Sequence, residues 1–187
     1  MNLPSGHGAI LLDLARRSIR SALGEALEPA PAPSDPLLLQ PAGCFVSLHE
    51  QSTNRLRGCV GRLDARDPVY LAVTEAARSV LHDPRFERER VALAELGKLS
   101  LEISLLSPLA DAPHPLAFDP RDHGIYLTIG QSAGCFLPQV GRETGWSREQ
   151  LLERLCTEKL GMAPGAWKLT NARLQVFTAQ ILGPEPF

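Results

Sequence analysis

Leu56-Arg57-Gly58-Cys59-Val60-Gly61 sets a cysteine between two glycines with an arginine two residues before it. Upstream, Cys44, Val46 and Leu48 alternate with Phe45, Ser47 and His49, and the intervening Glu50 to Asn54 is turn-like, so residues 44–61 read as a β-hairpin. If the motif runs as a regular strand, the period of two puts Arg55, Arg57 and Cys59 on one face and the buried Leu56 and Val60 on the other. The thiol then lies beside guanidinium groups. A fixed cation favours thiolate, lowering a free-cysteine pKa of about 8.5. Gly58 and Gly61, without Cβ atoms, allow a ligand or a second backbone to come close.

Residues 55 to 66 carry Arg55, Arg57, Arg62 and Arg66 against a single acid, Asp64, in a chain of net charge −2. That local excess points to an anionic ligand or partner surface near Cys59. A blander reading competes with it: free cysteine packs as a small core hydrophobe, and arginines line solvated edge strands.

Outward from the hairpin, the apolar spacing of residues 9–27 predicts an amphipathic helix. A proline-rich connector over 28–43 follows, with Pro29, Pro31, Pro33, Pro36 and Pro41, and with Leu37 to Leu39 expected to dock. Asp67-Pro68 reads as an N-cap and first-turn proline opening a helix, which Asp83-Pro84 ends. Leu99, Leu101, Ile103 and Leu105 alternate with Ser100, Glu102 and Ser104, the pattern of a strand buried on one face with Glu102 on the other. A proline-punctuated loop with His114, Asp119, Asp122 and His123 precedes a second hairpin, Ile125 to Ile129 with Cys135 to Leu137. Ser147-Arg148-Glu149-Gln150 is a capping-box pattern for a helix that stops at Gly161 and carries Cys156 on its apolar stripe. Asn171 to Leu182 reads as one final strand. Strands and helices interleave without regular alternation, so the expected fold is α+β with a mainly antiparallel sheet and flanking helices.

At 187 residues and 44% hydrophobic composition the chain buries a core of ordinary size. Its charge balance supplies no global basic field, which argues against nucleic-acid binding by phosphate neutralisation. The cysteines at 44, 59, 135 and 156 offer no Cys-x-x-Cys spacing, and no metal ligands are predicted. The apolar run Ala9 to Leu12 is broken by Asp13 and followed by Arg16 and Arg17, too short for a membrane span and wrong for a signal peptide. A cytoplasmic protein with reduced thiols is expected.

Leu-Arg-Gly-Cys-Val-Gly at 56–61, Asp-Pro-Arg-Phe at 83–86, Glu-Ile-Ser-Leu-Leu-Ser-Pro at 102–108, His-Gly at 123–124, Leu-Pro-Gln-Val at 137–140 and Trp167 together resemble the AmmeMemoRadiSam system protein A family. The same domain occurs in the human protein named for the Alport syndrome, midface hypoplasia and elliptocytosis chromosomal region. The resemblance covers about residues 7 to 182 and departs in small ways, with Leu160 before Gly161 and an unusually proline-rich connector. It implies one family domain over 1–187, built of two interleaved lobes of unequal size with a cleft between them. It also implies a functional centre at the arginine-glycine-cysteine motif, in a metabolic or redox system that includes a Memo-like protein and a radical SAM protein.

Two functions fit these residues. In the first, Cys59 is a nucleophile or redox thiol activated by Arg57, His123 or Glu102 is its acid-base partner, and Arg57, Gly58, Gly61 and Arg85 bind a small anionic substrate. In the second, the chain is a non-catalytic subunit that docks the Memo-like or radical SAM partner, and Cys59 is inert. The sequence names no cofactor.

Overall fold

The computed structural model describes residues 3–28 and 30–187, so Pro29 of the connector lies outside the described residues. The chain divides into two compact units. The first comprises the described residues up to Leu106 together with Gln180–Phe187, and the second is Ser107–Ala179. The fold is α+β, with two four-stranded sheets in which every strand pairing described below is antiparallel.

In the first unit the expected hairpin is present as β1 (Cys44–Glu50) and β2 (Leu56–Arg62). β1 also pairs with β3 (Leu99–Leu106), and a late strand β8 (Ala179–Pro186) completes the order β2-β1-β3-β8. The alternation read in the sequence decides which face is covered: Leu99, Leu101, Ile103 and Leu105 are at most 1% exposed, as are Cys44, Val46 and Leu48 on β1. Helices α1 (Ser5–Ala22) and α2 (Val69–Ser79) join that core through Leu11, Ala15 and Ile19, and through Val69, Val73 and Ala77. The opposite face of the sheet carries Ser47, Cys59 and Glu102.

Three local expectations change. α1 starts at Ser5 and ends at Ala22 rather than spanning 9–27, because Gly24 turns the chain with φ +93°. Asp67 does not cap α2; Pro68 holds the cap position, and the Asp67 carboxylate is taken by Arg62. Of the connector leucines, Leu38 is fully buried but Leu39 is exposed.

The second unit has the sheet order β4-β7-β5-β6, from β4 (Ala110–Asp111), β5 (Gly124–Ile129), β6 (Ser132–Phe136) and β7 (Ala172–Phe177). β5 and β6 are the second hairpin. Ile125, Leu127, Phe136 and Leu174 pack against α4 (Arg148–Arg154) and its π-helical continuation at 155–159, where Cys156 is buried as predicted. A short helix α3 (Pro138–Thr144) precedes α4. The capping box holds: Gln150 N–H donates to Ser147 Oγ at 3.2 Å and Ser147 N–H to Gln150 Oε1 at 2.9 Å. The stretch read as one final strand is two, β7 in the second unit and β8 in the first.

Candidate functional site

The register of the first hairpin shifts at one point. Leu48 lies opposite Gly58, but its neighbour His49 lies opposite Leu56, so Arg57 is an extra residue on β2, a β-bulge. An inserted residue breaks the period of two. Leu56 is thereby placed across from His49, on the Ser47 and Cys59 side of the sheet, and both Leu56 and Val60 are only partly buried.

The bulge separates Arg57 from Cys59, which corrects the expectation of a shared face. The Arg57 guanidinium is 7% exposed and is spent internally, donating to Glu50 Oε1 at 3.5 Å, Glu95 Oε1 at 3.4 Å and the Glu89 carbonyl at 3.0 Å. Glu50 stands three residues from Ser47 on regular β1, hence on the opposite face. Its carboxyl is held down at about 2, chiefly by hydrogen bonds from Arg55 and then Thr53, against burial.

Arg85 is the arginine beside the thiol. β2 is an edge strand, and the backbone N–H and C=O of Cys59 point away from β1. Both are caught by one ion pair: Cys59 N–H donates to Asp83 Oδ2 at 2.9 Å, and Arg85 Nη2 donates to the Cys59 carbonyl at 3.1 Å. Arg85 grips the same carboxylate through Nε at 3.0 Å and Nη2 at 2.7 Å. Asp83 is buried, while the Arg85 side chain is half exposed. Burial pulls the Asp83 carboxyl up, but the Arg85 side chain and the N–H groups of Cys59 and Arg85 outweigh it and hold it below the usual carboxylate range. Asp-Pro-Arg thus acts as a strand substitute one residue wide at the position of the cysteine.

Across the sheet, β1 pairs Ser47 with Cys59 on one side and with Glu102 on the other. Cys59, Ser47 and Glu102 therefore form one cross-strand row, in which directly opposed Cβ atoms stand about 5 Å apart. Burial pushes the Cys59 thiol up; the Ser47 hydroxyl and the Arg85 guanidinium pull it down, and Asp83 and Glu102 add to the rise. The net direction is upward, so the resting group is a thiol. Cys44, in the core, is pushed by burial to about 12.

Gly58 and Gly61 are used for packing. A Cβ on Gly58 would meet the Val80 carbonyl oxygen at 2.7 Å, and one on Gly61 would meet the Cys44 carbonyl oxygen at 2.0 Å and Phe45 Cα at 2.5 Å. The second backbone that these glycines admit is the protein's own. Ser47 and Asp83 went unmarked as site residues in the sequence. Their signals are Ser47's place opposite Cys59 across the hairpin and the Asp-Pro-Arg-Phe motif.

His123 belongs to the second unit. Its Nδ1 accepts the Asp119 backbone N–H at 3.0 Å, and the His123 backbone N–H donates to the Asp119 carbonyl at 2.9 Å. With the Nδ1 lone pair engaged, the neutral ring carries its proton on Nε2 and presents a donor there. Among the described residues no group of three or more His, Cys, Asp or Glu is placed to hold a metal ion, and no helix is long and apolar enough to cross a membrane.

A family model described as AMMECR1 matches residues 12–182. Protein PH0010 of Pyrococcus horikoshii is 34% identical over 189 residues, covering 95% of this chain and 90% of its own length. Protein MJ0810 of Methanocaldococcus jannaschii is 36% identical over 146 residues, 74% of this chain and 71% of its own. The crystal structure of PH0010, described as an uncharacterized protein, superimposes with TM-score 0.83 at 32% identity, over 96% of this chain and 97% of that one.

Proposed function

Since the chain belongs to the AMMECR1 family, whose compared members carry no described reaction, we propose that its first unit holds a cysteine-centred catalytic site acting on a small anionic substrate. The observation that carries this reading is the row Cys59–Ser47–Glu102 with Arg85 laid against the thiol. Cys59 Sγ is the nucleophile and adds to a carbonyl carbon of the substrate as the π pair of that C=O bond moves onto its oxygen. Its proton passes to the Ser47 hydroxyl, which gives its own proton to the Glu102 carboxylate. Arg85, whose side chain is 52% exposed, holds the substrate anion from its solvent side, while Nε and Nη2 stay on Asp83 and the Cys59 carbonyl. A thiol that is neutral at rest and loses its proton only beside its substrate is protected from adventitious oxidation.

The test is the rate of iodoacetamide labelling of Cys59 against pH, read by peptide mapping. The expected midpoint lies above that of a free cysteine, about 8.5. Glu102→Gln removes a negative charge and moves the midpoint down; Ser47→Ala removes a donor to the thiolate and moves it up. Cys59→Ser leaves the melting temperature unchanged and abolishes turnover. A midpoint indifferent to both neighbours sinks the row as a proton path.

A second reading has one observation in its favour: Arg57, Gly58 and Gly61 are all accounted for by internal packing. In that reading the hairpin is a rigid docking element for a Memo-like or radical SAM protein, and Cys59 stays unlabelled at every pH that leaves the protein folded.

A further inference from the structure

A cavity of about 360 Å³ that includes no residue of the cysteine motif lies in the first unit, where α1 and α2 meet the start of the connector. Two helical stripes face it. α1 contributes Leu14, Arg17 and Ser21, and α2 contributes Tyr70, Thr74 and Arg78, one side chain per turn. Leu27, Ala30, Pro31 and Ala32 of the connector make the apolar remainder of the wall.

The charges of this lining are unbalanced. Arg17 makes no ion pair: its Nη2 donates to the backbone carbonyl of Glu28 at 2.6 Å, and its Nε is buried without a hydrogen-bond partner. Arg78 has no ion pair or hydrogen bond among the described residues. Most other arginines of this unit are matched by acids, as Arg16 is by Glu185, Arg20 by Glu25 and Arg62 by Asp67, although Arg88 is not among the described residues and the Nε atoms of Arg16 and Arg57 are orphaned like that of Arg17. Arg78 is exposed and its donors are hydrated, whereas Arg17 keeps an orphaned Nε; an anion in the cavity would exchange water on these guanidiniums for charge-assisted hydrogen bonds. The only carboxylate in the lining belongs to Glu28, and Arg17 uses that residue's backbone instead. The volume falls in the range of small-molecule sites, where a few polar groups fix orientation within an apolar surround.

We propose that this cavity binds a compact organic anion, a carboxylate or phosphate monoester with a short apolar body. Its charged head lies between Arg17 and Arg78, with the Thr74 and Tyr70 hydroxyls within the same wall, and its body lies against Leu14, Leu27 and Pro31. Because Arg17 also anchors the connector at Glu28, the bound anion fixes the segment that forms its own wall. The site is independent of Cys59 and of any reaction there.

The experiment is titration of the isotope-labelled full chain with butyl phosphate and, separately, hexanoate, following backbone amide shifts, with butanol as the neutral control. At least one anion is expected to bind saturably, with the largest shifts in residues 14–21 and 70–78 and none from butanol; which anion binds tells phosphate from carboxylate. Arg78→Ala, which breaks no hydrogen bond or ion pair among the described residues, is expected to weaken binding about tenfold, as loss of a charge-assisted contact does. The proposal is overturned if neither anion saturates, if butanol shifts the same amides equally, or if Arg78→Ala binds as tightly as the parent.

Discussion

Asp83→Ala is the sharpest test of how the edge strand is held. The carboxylate, 4% exposed, accepts four hydrogen bonds, from the backbone N–H groups of Cys59 and Arg85 and from Nε and Nη2 of Arg85. Hydrogen bonds to a charged group contribute about 1.5–3 kcal/mol each in favourable cases, but these are not additive here. Arg85 is 52% exposed, so water takes over its donors on truncation and that part of the loss is about 0–1 kcal/mol. The Cys59 N–H, at a partly buried edge with no other acceptor, costs about 1–3 kcal/mol when orphaned. The expected destabilisation is therefore about 1–4 kcal/mol for Asp83→Ala. It is about 1 kcal/mol for Asp83→Asn, whose amide oxygen still accepts from Cys59. Urea unfolding reads this as a lower midpoint at unchanged slope. The pH dependence supplies an independent sign. A carboxyl held below its usual value in the folded state stabilises above its unfolded pKa, about 3.9, and that contribution is lost as pH falls through the folded value. The gap between parent and Asp83→Asn should therefore close as the pH is lowered below about 4. A loss under 0.5 kcal/mol for Asp83→Ala, or a gap that widens on acidification, would refute the ion pair as the support of the Cys59 edge.

Arg57→Met should cost about 1–3 kcal/mol, the value of a buried ion pair reduced because Glu95 is half exposed, and should leave the pH profile of Cys59 labelling where it was. A shifted profile would return Arg57 to the thiol's side of the sheet. Gly61→Ala drives a Cβ into the β1 backbone and should cost about 3 kcal/mol or more. Gly97→Ala, with nothing within 4 Å of its added carbon, should be neutral or stabilise by up to about 1 kcal/mol in the same melts.

What the sequence disclosed follows from whether a signal is local. Leu99, Leu101, Ile103 and Leu105 announce a half-buried strand because burial acts on each side chain with the same period as the backbone. The Ser147 capping box is legible because all its partners lie within one turn. The hairpin could be placed from its alternation and its turn, but not the bulge, because Arg55, Arg57 and Cys59 keep perfect spacing along β2. Only the count of residues on β1 reveals that Arg57 is supernumerary. The site suffers most from this. Arg57 looked like the partner of Cys59, whereas Ser47 and Asp83 reach the cysteine from across the pairing and from a turn 24 residues downstream. The single strand expected near residues 171–182 fails for a related reason: apolar alternation continues through Thr178 while the hydrogen-bond partner changes from β5 to β3.

That change of partner has a bearing on biosynthesis. β8 and the Gln180 side chain, which bonds both the N–H and the carbonyl of Leu3, leave the ribosome only after the whole of the second unit has been made. Until then the nascent chain holds β3 with one hydrogen-bonding edge open and the entry to α1 untied. The second unit is thus an insertion in the sequence of the first, whose sheet cannot gain its fourth strand before residues 107–179 have been synthesised.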